Sequence, residues 1–185
     1  MTHSDPPSAL REITDLLRAL ESPWAMAGGW ALDLALNCIT RPHADVDIAV
    51  FRSDQSALRA ALPGWRFEIA VDRTLEPWAP GVWLQPPVHE VHARPSEGIP
   101  GRALEFLLNE QADADWVYRR DPAIRLPLAR AIRATRSGIR ALAPEVVLLY
   151  KSKAPRAVDE QDFCAARPLL DTQARAWLRA ALLRV

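Results

Sequence analysis

A chain of 185 residues, 49% hydrophobic and 25% charged, is long enough for one well-buried domain with a small helical appendage, and it is too apolar to be disordered or fibrous. Its net charge of zero is unevenly spread: residues 1–92 carry 7 arginines against 12 acids, and residues 93–185 carry 16 basic residues against 11 acids. That balance excludes a dedicated DNA binder, whereas an acidic half followed by a basic half suits carboxylates that hold metal beside cations that hold phosphate.

Pro6 and Pro7 precede Ser8, which reads as an N-cap, and Leu10, Ile13, Leu16, Leu17 and Leu20 give the stretch Ala9 to Leu20 the stripe of an amphipathic helix. Trp24 to Ala27 reads as a short buried strand ending at Gly28-Gly29, and Trp30 to Leu36 as a helical turn or two. After a loop, Asp45-Val46-Asp47-Ile48-Ala49-Val50 has the alternation and β-branched content of a strand. A helix is expected over Asp54 to Leu62 and a strong strand over Trp65 to Val71. Residues 72–87, rich in Pro, Trp and Gly, form a loop or an irregular edge strand. Two further strands are expected at Val88 to Ala93 and Ala103 to Glu110, with Trp116 to Arg120 as an added edge. Pro144 fits the first position of a helix running through Lys151, and residues 159–183 hold two more helical stretches broken at Pro168.

The fold class that follows is α/β (α+β): a mixed, mostly antiparallel sheet of about five strands backed by helices. The α/β core spans residues 1–140 and a helical C-terminal portion spans 141–185. No apolar run approaches the roughly 20 residues of a membrane span. The start, Met-Thr-His-Ser-Asp-Pro-Pro, lacks the basic residues and apolar centre of a signal peptide, so a cytoplasmic protein is expected. Cys38 and Cys164 form no C-x-x-C pair and read as packing residues.

Two features carry chemistry. On a strand, side chains at i and i+2 share a face about 7 Å apart, so Asp45 and Asp47 stand together while Val46, Ile48 and Val50 pack behind them. Two carboxylates on one face repel, and a divalent cation removes the repulsion; Mg²⁺ combines such oxygens with water and substrate phosphate. Gly28-Gly29, between strand and helix, lets the backbone pass close to a ligand and turns helix N–H groups toward a phosphate. Either feature alone is weak, but Asp45 follows Gly29 by 16 positions, and the combination is specific.

The pattern Gly28-Gly29-Trp30-x-x-Asp33, then Arg41-x-His43-x-Asp45-x-Asp47, resembles the nucleotidyltransferase superfamily that shares the DNA polymerase β catalytic core. Within it, the chain looks like the aminoglycoside 2″-adenylyltransferase-like proteins over residues 24–51, and again from Lys151 to Asp159. The resemblance implies a nucleotidyltransferase fold with ATP or another NTP as co-substrate and two Mg²⁺ ions on Asp45 and Asp47. Gly28, Gly29 and Trp30 would bind the nucleotide, Arg41 and Lys151 would neutralise phosphate, and Asp159 would orient Lys151 or Arg156. Asp33 would anchor the loop to Arg41, and His43 would order it.

Such sites carry a third carboxylate, and here the chain departs from the pattern. The expected Asp is replaced in Leu104-Glu105-Phe106, which makes Glu105 the preferred third acid, Glu90 the alternative and Glu110 a weaker third. His89 and His92 would face opposite sides of a strand and are set aside as metal ligands. Trp24 and Trp177 read as core, and Trp78 and Trp83 as a packed loop with a stacking surface as the alternative. The acceptor implied is a small molecule with a hydroxyl, an aminoglycoside among them. Modification of a protein or RNA, as in toxin–antitoxin pairs, and nucleotide binding without turnover stay open. Nothing in the sequence sets the oligomeric state.

Overall fold

The computed structural model describes residues 7–72 and 74–185, so Pro6 and the rest of the N-terminal segment read above, apart from Pro7, lie outside the described residues. Helix α1 (Ser8–Leu16) buries Leu10 and Ile13, and a following 3₁₀ turn buries Leu17, with Leu20 just beyond it. Ser8 is the first helical residue and not the cap. Pro7, with φ −50° and an extended ψ of 142°, takes the cap position without a side-chain bond, because its ring already fixes the entry angle.

Ten strands are described: β1 (Trp24–Met26), β2 (Asp47–Phe51), β3 (Trp65–Val71), β4 (Thr74–Pro77), β5 (Glu90–Pro95), β6 (Leu104–Ala112), β7 (Asp115–Val117), β8 (Arg125–Pro127), β9 (Ile132–Ala134) and β10 (Arg140–Leu142). Their order is β4-β3-β5-β6-β2-β1-β10-β9, and β7 with β8 branches from the end of β6. The pairings are antiparallel except β1 with β10 and β2 with β6. The sheet is thus mixed and mostly antiparallel, as expected, but eight strands wide with a two-stranded branch instead of about five. Strands β8, β9 and β10 are three residues each and rich in Arg, Ala and Pro, too short and too weakly β-forming for alternation to register.

Strand β2 lies between antiparallel β1 and parallel β6, and Ile48, Ala49, Val50 and Phe51 are all buried. Burial on both faces anchors the strand whose first residue is Asp47. Helix α2 (Gly28–Leu36) starts two residues earlier than expected and ends at Asn37 in the left-handed conformation. Helix α3 (Gln55–Ala61) and the short α4 (Leu128–Ala131) lie between the strands in sequence. Helix α5 (Pro144–Lys151), with Pro144 in its first turn, buries Pro144 through Leu149 and packs on α2, on α6 (Ala157–Ala166) and on α7 (Thr172–Leu182).

Two side-chain expectations change. Cys164 is exposed and Cys38 half-buried, both as free thiols, because α6 turns Asp159, Asp162 and Ala166 inward and leaves Cys164 on its outer side. Trp177 is only half-buried, its Nε1 donating to the Arg125 carbonyl at 2.7 Å, whereas Trp24 and Trp78 are core and Trp83 is exposed. Among the described residues, no helix is long and apolar enough to cross a membrane.

Candidate active site

The site forms where β1, β2 and β6 meet the start of α2 and the end of α5. Ala27 donates its N–H to the Asp47 carbonyl at 2.8 Å, which ties the glycine turn to the carboxylate strand. Gly28 has φ +56°, and a Cβ built there would overlap Asp47 Oδ2; a Cβ at Gly29 would overlap His43 and the Arg41 guanidinium. Both positions are cleared for close approach, and the first also needs a conformation that L side chains rarely adopt. Gly28→Ala is expected to lose about 1–2 kcal/mol of stability from the positive φ alone, and to displace Asp47. Chemical unfolding alongside a turnover assay checks this.

The strand expected from Asp45 begins at Asp47, and Asp45 sits exposed just before it. The two remain electrostatically coupled: the Asp47 carboxyl is held above its ordinary value first by burial and next by Asp45, against the pull of Lys151. Across the sheet, Asp47 is in register with Glu105 on β6, and Glu105 with His92 on β5. Neighbouring strands stand about 4.8 Å apart, so these side chains share one row on one face. Glu90, two residues before His92, shares the face and bonds His92 Nε2 at 2.7 Å. Glu90, His92 and Glu105 offer ligand atoms within 4.8 Å of one another. The Glu105 carboxyl is pushed up to about 7, chiefly by burial and then by Asp47 and Glu90.

Of the three candidates for the third acid, then, Glu105 and Glu90 converge on Asp47, while Glu110 is spent on Arg52, whose Nε donates to it at 2.7 Å. His89 precedes β5 and bonds the Pro87 carbonyl, but His92 joins the carboxylates. The sequence reading placed both histidines on one strand and missed this. Burial and mutual repulsion in an all-oxygen set with one flanking imidazole are what a hard divalent cation relieves, so the residues present fit Mg²⁺.

The loop before β2 is fastened from within. Buried Asp33 accepts from the Thr40 N–H at 3.1 Å and the Thr40 hydroxyl at 2.6 Å, and its second oxygen pairs with His43 Nε2 at 2.6 Å. The expected Asp33–Arg41 bond does not form. Arg41 Nε and its terminal nitrogen instead donate to both oxygens of Asp162, each at 2.9 Å. The indole of Trp30 lies on His43, ring centroids 4.4 Å apart, and packs against the core instead of lining the cavity.

Lys151, at the end of α5, is 2.7 Å from Asp159 Oδ1 and 3.0 Å from Asp162 Oδ2. Asp159 also accepts from the Arg156 backbone and guanidinium, and these bonds, Arg156 foremost, hold its carboxyl well below the usual range. Asp162 was missed by the sequence reading. Its signal was spacing: it lies three residues after Asp159, on the same side of a helix. Burial opposes its charge, but Arg41 and Lys151 keep its carboxyl below the usual range. Removing a buried ion-pair partner strands the other charges, so Asp162→Ala is expected to cost about 3–5 kcal/mol, read by urea unfolding.

A cavity of about 360 Å³ opens between these elements, lined by Gly28, Asp47, Leu107, Asn109, Tyr150, Lys151 and Asp159, and bordered by His89, Arg119, Arg120, Lys153 and Arg156. The arginines of the basic half do not act as one surface. Arg133 pairs at 2.6 Å with the fully buried Glu145, and Arg140 stacks over Trp24, while Arg119 and Arg120 reach the cavity.

Residues 9–77 match the family model described as aminoglycoside-2″-adenylyltransferase. Among solved structures, ANT(2″)-Ia in complex with adenylyl-2″-tobramycin is 18% identical with a TM-score of 0.63, covering 96% of this chain and 98% of that one. The lincomycin-bound lincosamide antibiotic adenylyltransferase LnuA is 17% identical with a TM-score of 0.61, covering 89% of this chain and 98% of that one. No curated protein matches the chain. The fold is that of these nucleotidyltransferases.

Proposed function

We propose that the chain moves a nucleoside monophosphate, AMP from ATP, onto a hydroxyl of a small-molecule acceptor of the antibiotic kind that its structural relatives bind, with two Mg²⁺ ions held by Asp45, Asp47 and Glu105. The observation that carries this is the registered pair Asp47–Glu105 beside a glycine turn whose Cβ space is taken by Asp47 itself.

In this reading the acceptor oxygen forms a bond to the α-phosphorus, the bond to pyrophosphate breaks, and the hydroxyl proton passes to a carboxylate. The bound metal would supply charge neutralisation at the attacking and leaving oxygens. The chain's own residues do the rest. Gly28 and Gly29 admit the triphosphate against the start of α2, where unpaired N–H groups favour anions. Lys151, fixed by Asp159 and Asp162, presents one positive charge beside Asp47 without swinging freely. Glu105, level with Asp47 on the neighbouring strand, is the carboxylate placed to take the acceptor proton. Positioning and electrostatics carry the catalysis, as is general for phosphoryl transfer. Helix α5, which begins at Pro144, contributes Lys151, and two free thiols accord with a cytoplasmic setting.

The test is transfer of label. The protein, Mg²⁺ and α-labelled ATP are incubated separately with aminoglycosides, a lincosamide, tRNA and lysate protein. Label on a small molecule with pyrophosphate release is the expected result; label on macromolecules alone would overturn the acceptor class.

A further inference from the structure

Strand β6 runs along the cavity. Glu105 stands level with Asp47, whereas the Leu108 N–H bonds the His89 carbonyl and β7 pairs with Glu110 to Ala112. Strand β7 runs antiparallel to β6 with Val117 opposite Glu110, so the chain that follows it turns back along β6 beside the cavity that Asp47 also lines. That stretch carries Arg119 and Arg120. Arg120 donates to the Tyr118 hydroxyl at 3.0 Å and lies 5.7 Å from the Tyr150 ring centroid; Arg119 lies 5.8 Å from the same ring.

No carboxylate among the described residues pairs with either one. Arg119 is half-buried, and its guanidinium is held below its ordinary value first by that burial, eased by Tyr150 and then pressed again by the like charge of Arg120. Among the other arginines turned into the protein, Arg41 has Asp162, Arg52 has Glu110 and Arg133 has Glu145, while Arg59, which pairs with no carboxylate among the described residues, lies over the Phe67 and Trp78 rings, donates to the Trp78 carbonyl and does not line this cavity. A partly desolvated guanidinium facing a cavity and a second guanidinium, with aromatic rings but no anion, costs free energy that a bound oxyanion would return. Its planar fork matches phosphate or carboxylate oxygens two at a time.

We propose that Arg119 and Arg120 form a subsite for an anionic oxygen group, phosphate or carboxylate, in the cavity that Asp47 also lines. The subsite rests on the reading of this cavity as the substrate site, and the group it takes belongs to either the nucleotide or the acceptor. A polycationic acceptor is disfavoured beside these two guanidinium groups, which narrows the acceptor class to neutral or acidic molecules if the nucleotide does not itself fill the subsite.

The experiment measures binding to the full chain, wild type against Arg119→Gln, with Arg120→Gln as a second variant and thermal melting to confirm folding. In the first arm the probes are ATP and adenosine. In the second, inorganic phosphate is titrated into protein saturated with a non-transferable ATP analogue. If the nucleotide supplies the anion, ATP affinity falls about tenfold and adenosine affinity holds. If the acceptor supplies it, nucleotide affinity holds and phosphate binding to the saturated protein is lost, with Arg119→Lys keeping part of it. Variants that stay folded and change neither arm overturn the subsite. Because both arms read binding, they give an answer even if no acceptor is ever labelled, so failure of the subsite and failure of the transferase reading are separable.

Discussion

Asp47→Asn is expected to abolish Mg²⁺-dependent pyrophosphate release by about 10³-fold or more while leaving the protein folded. The two halves of that expectation have different origins. The catalytic loss follows from position: Asp47 opens β2, faces Glu105 in register, borders the cavity and lies beside Lys151. The retention of structure follows from electrostatics. The Asp47 carboxyl is held above its ordinary value by burial first, and Asp45 and Glu90 add to this, so its charge is a liability in the metal-free fold. A neutral isostere removes that repulsion and keeps the side-chain volume beside Gly28. Melting temperature without metal should therefore hold or rise, and the stabilisation that Mg²⁺ gives the wild type should shrink. A variant that melted well below the wild type would show that Asp47 holds the fold, and one that kept turnover would remove Asp47 from the chemistry.

The parts of this site that were legible in the sequence are those set by local periodicity. The Gly28-Gly29 turn, the Asp47 strand and the Pro144 helix each follow from chain-local rules of conformation, and each forms close to where those rules put it. What stayed hidden depends on which strands become neighbours. His92 was dismissed by comparing it with His89 along one strand. Its actual partners, Glu105 and Glu90, become visible only once β5 is known to run antiparallel to β6 in a given register. Arg41 and Asp162 are 121 residues apart, and no spacing rule links them. The same limit explains Asp33. The sequence placed it correctly as a loop anchor, but the neighbouring Thr40 and His43 reach it, while Arg41 is drawn away to the buried carboxylate on α6. The short strands after residue 124 were lost for a different reason: three-residue segments of Arg, Ala and Pro owe their conformation to the sheet edge they join.

Glu105→Gln is expected to cost about 10²–10⁴-fold in turnover, the usual worth of a positioned acid or base, and Glu90→Gln much less. The stronger discrimination is in pH. In the metal-free fold Glu105 titrates at about 7, raised from 4.5. Below the lower value the group is protonated in both folded and unfolded chains and has no effect on stability. Between the two values the unfolded chain releases the proton while the fold retains it, so stability falls as pH rises, and above about 7 the loss is complete. Glu105→Gln removes this fall, so the variant should gain on the wild type progressively across that window and hold its advantage at pH 8. Metal reverses the sign, because a cation binds the carboxylate and must displace the proton. Wild-type affinity for Mg²⁺ should therefore climb as pH rises toward 7 and flatten beyond it, and the variant should lose the part of that climb nearest neutrality. Metal titrations at pH 6, 7 and 8, with unfolding curves at the same pH values, read both effects. Identical pH profiles for wild type and Glu105→Gln, with turnover intact, would place the third carboxylate elsewhere on this face, where Glu90 is the remaining acid in reach.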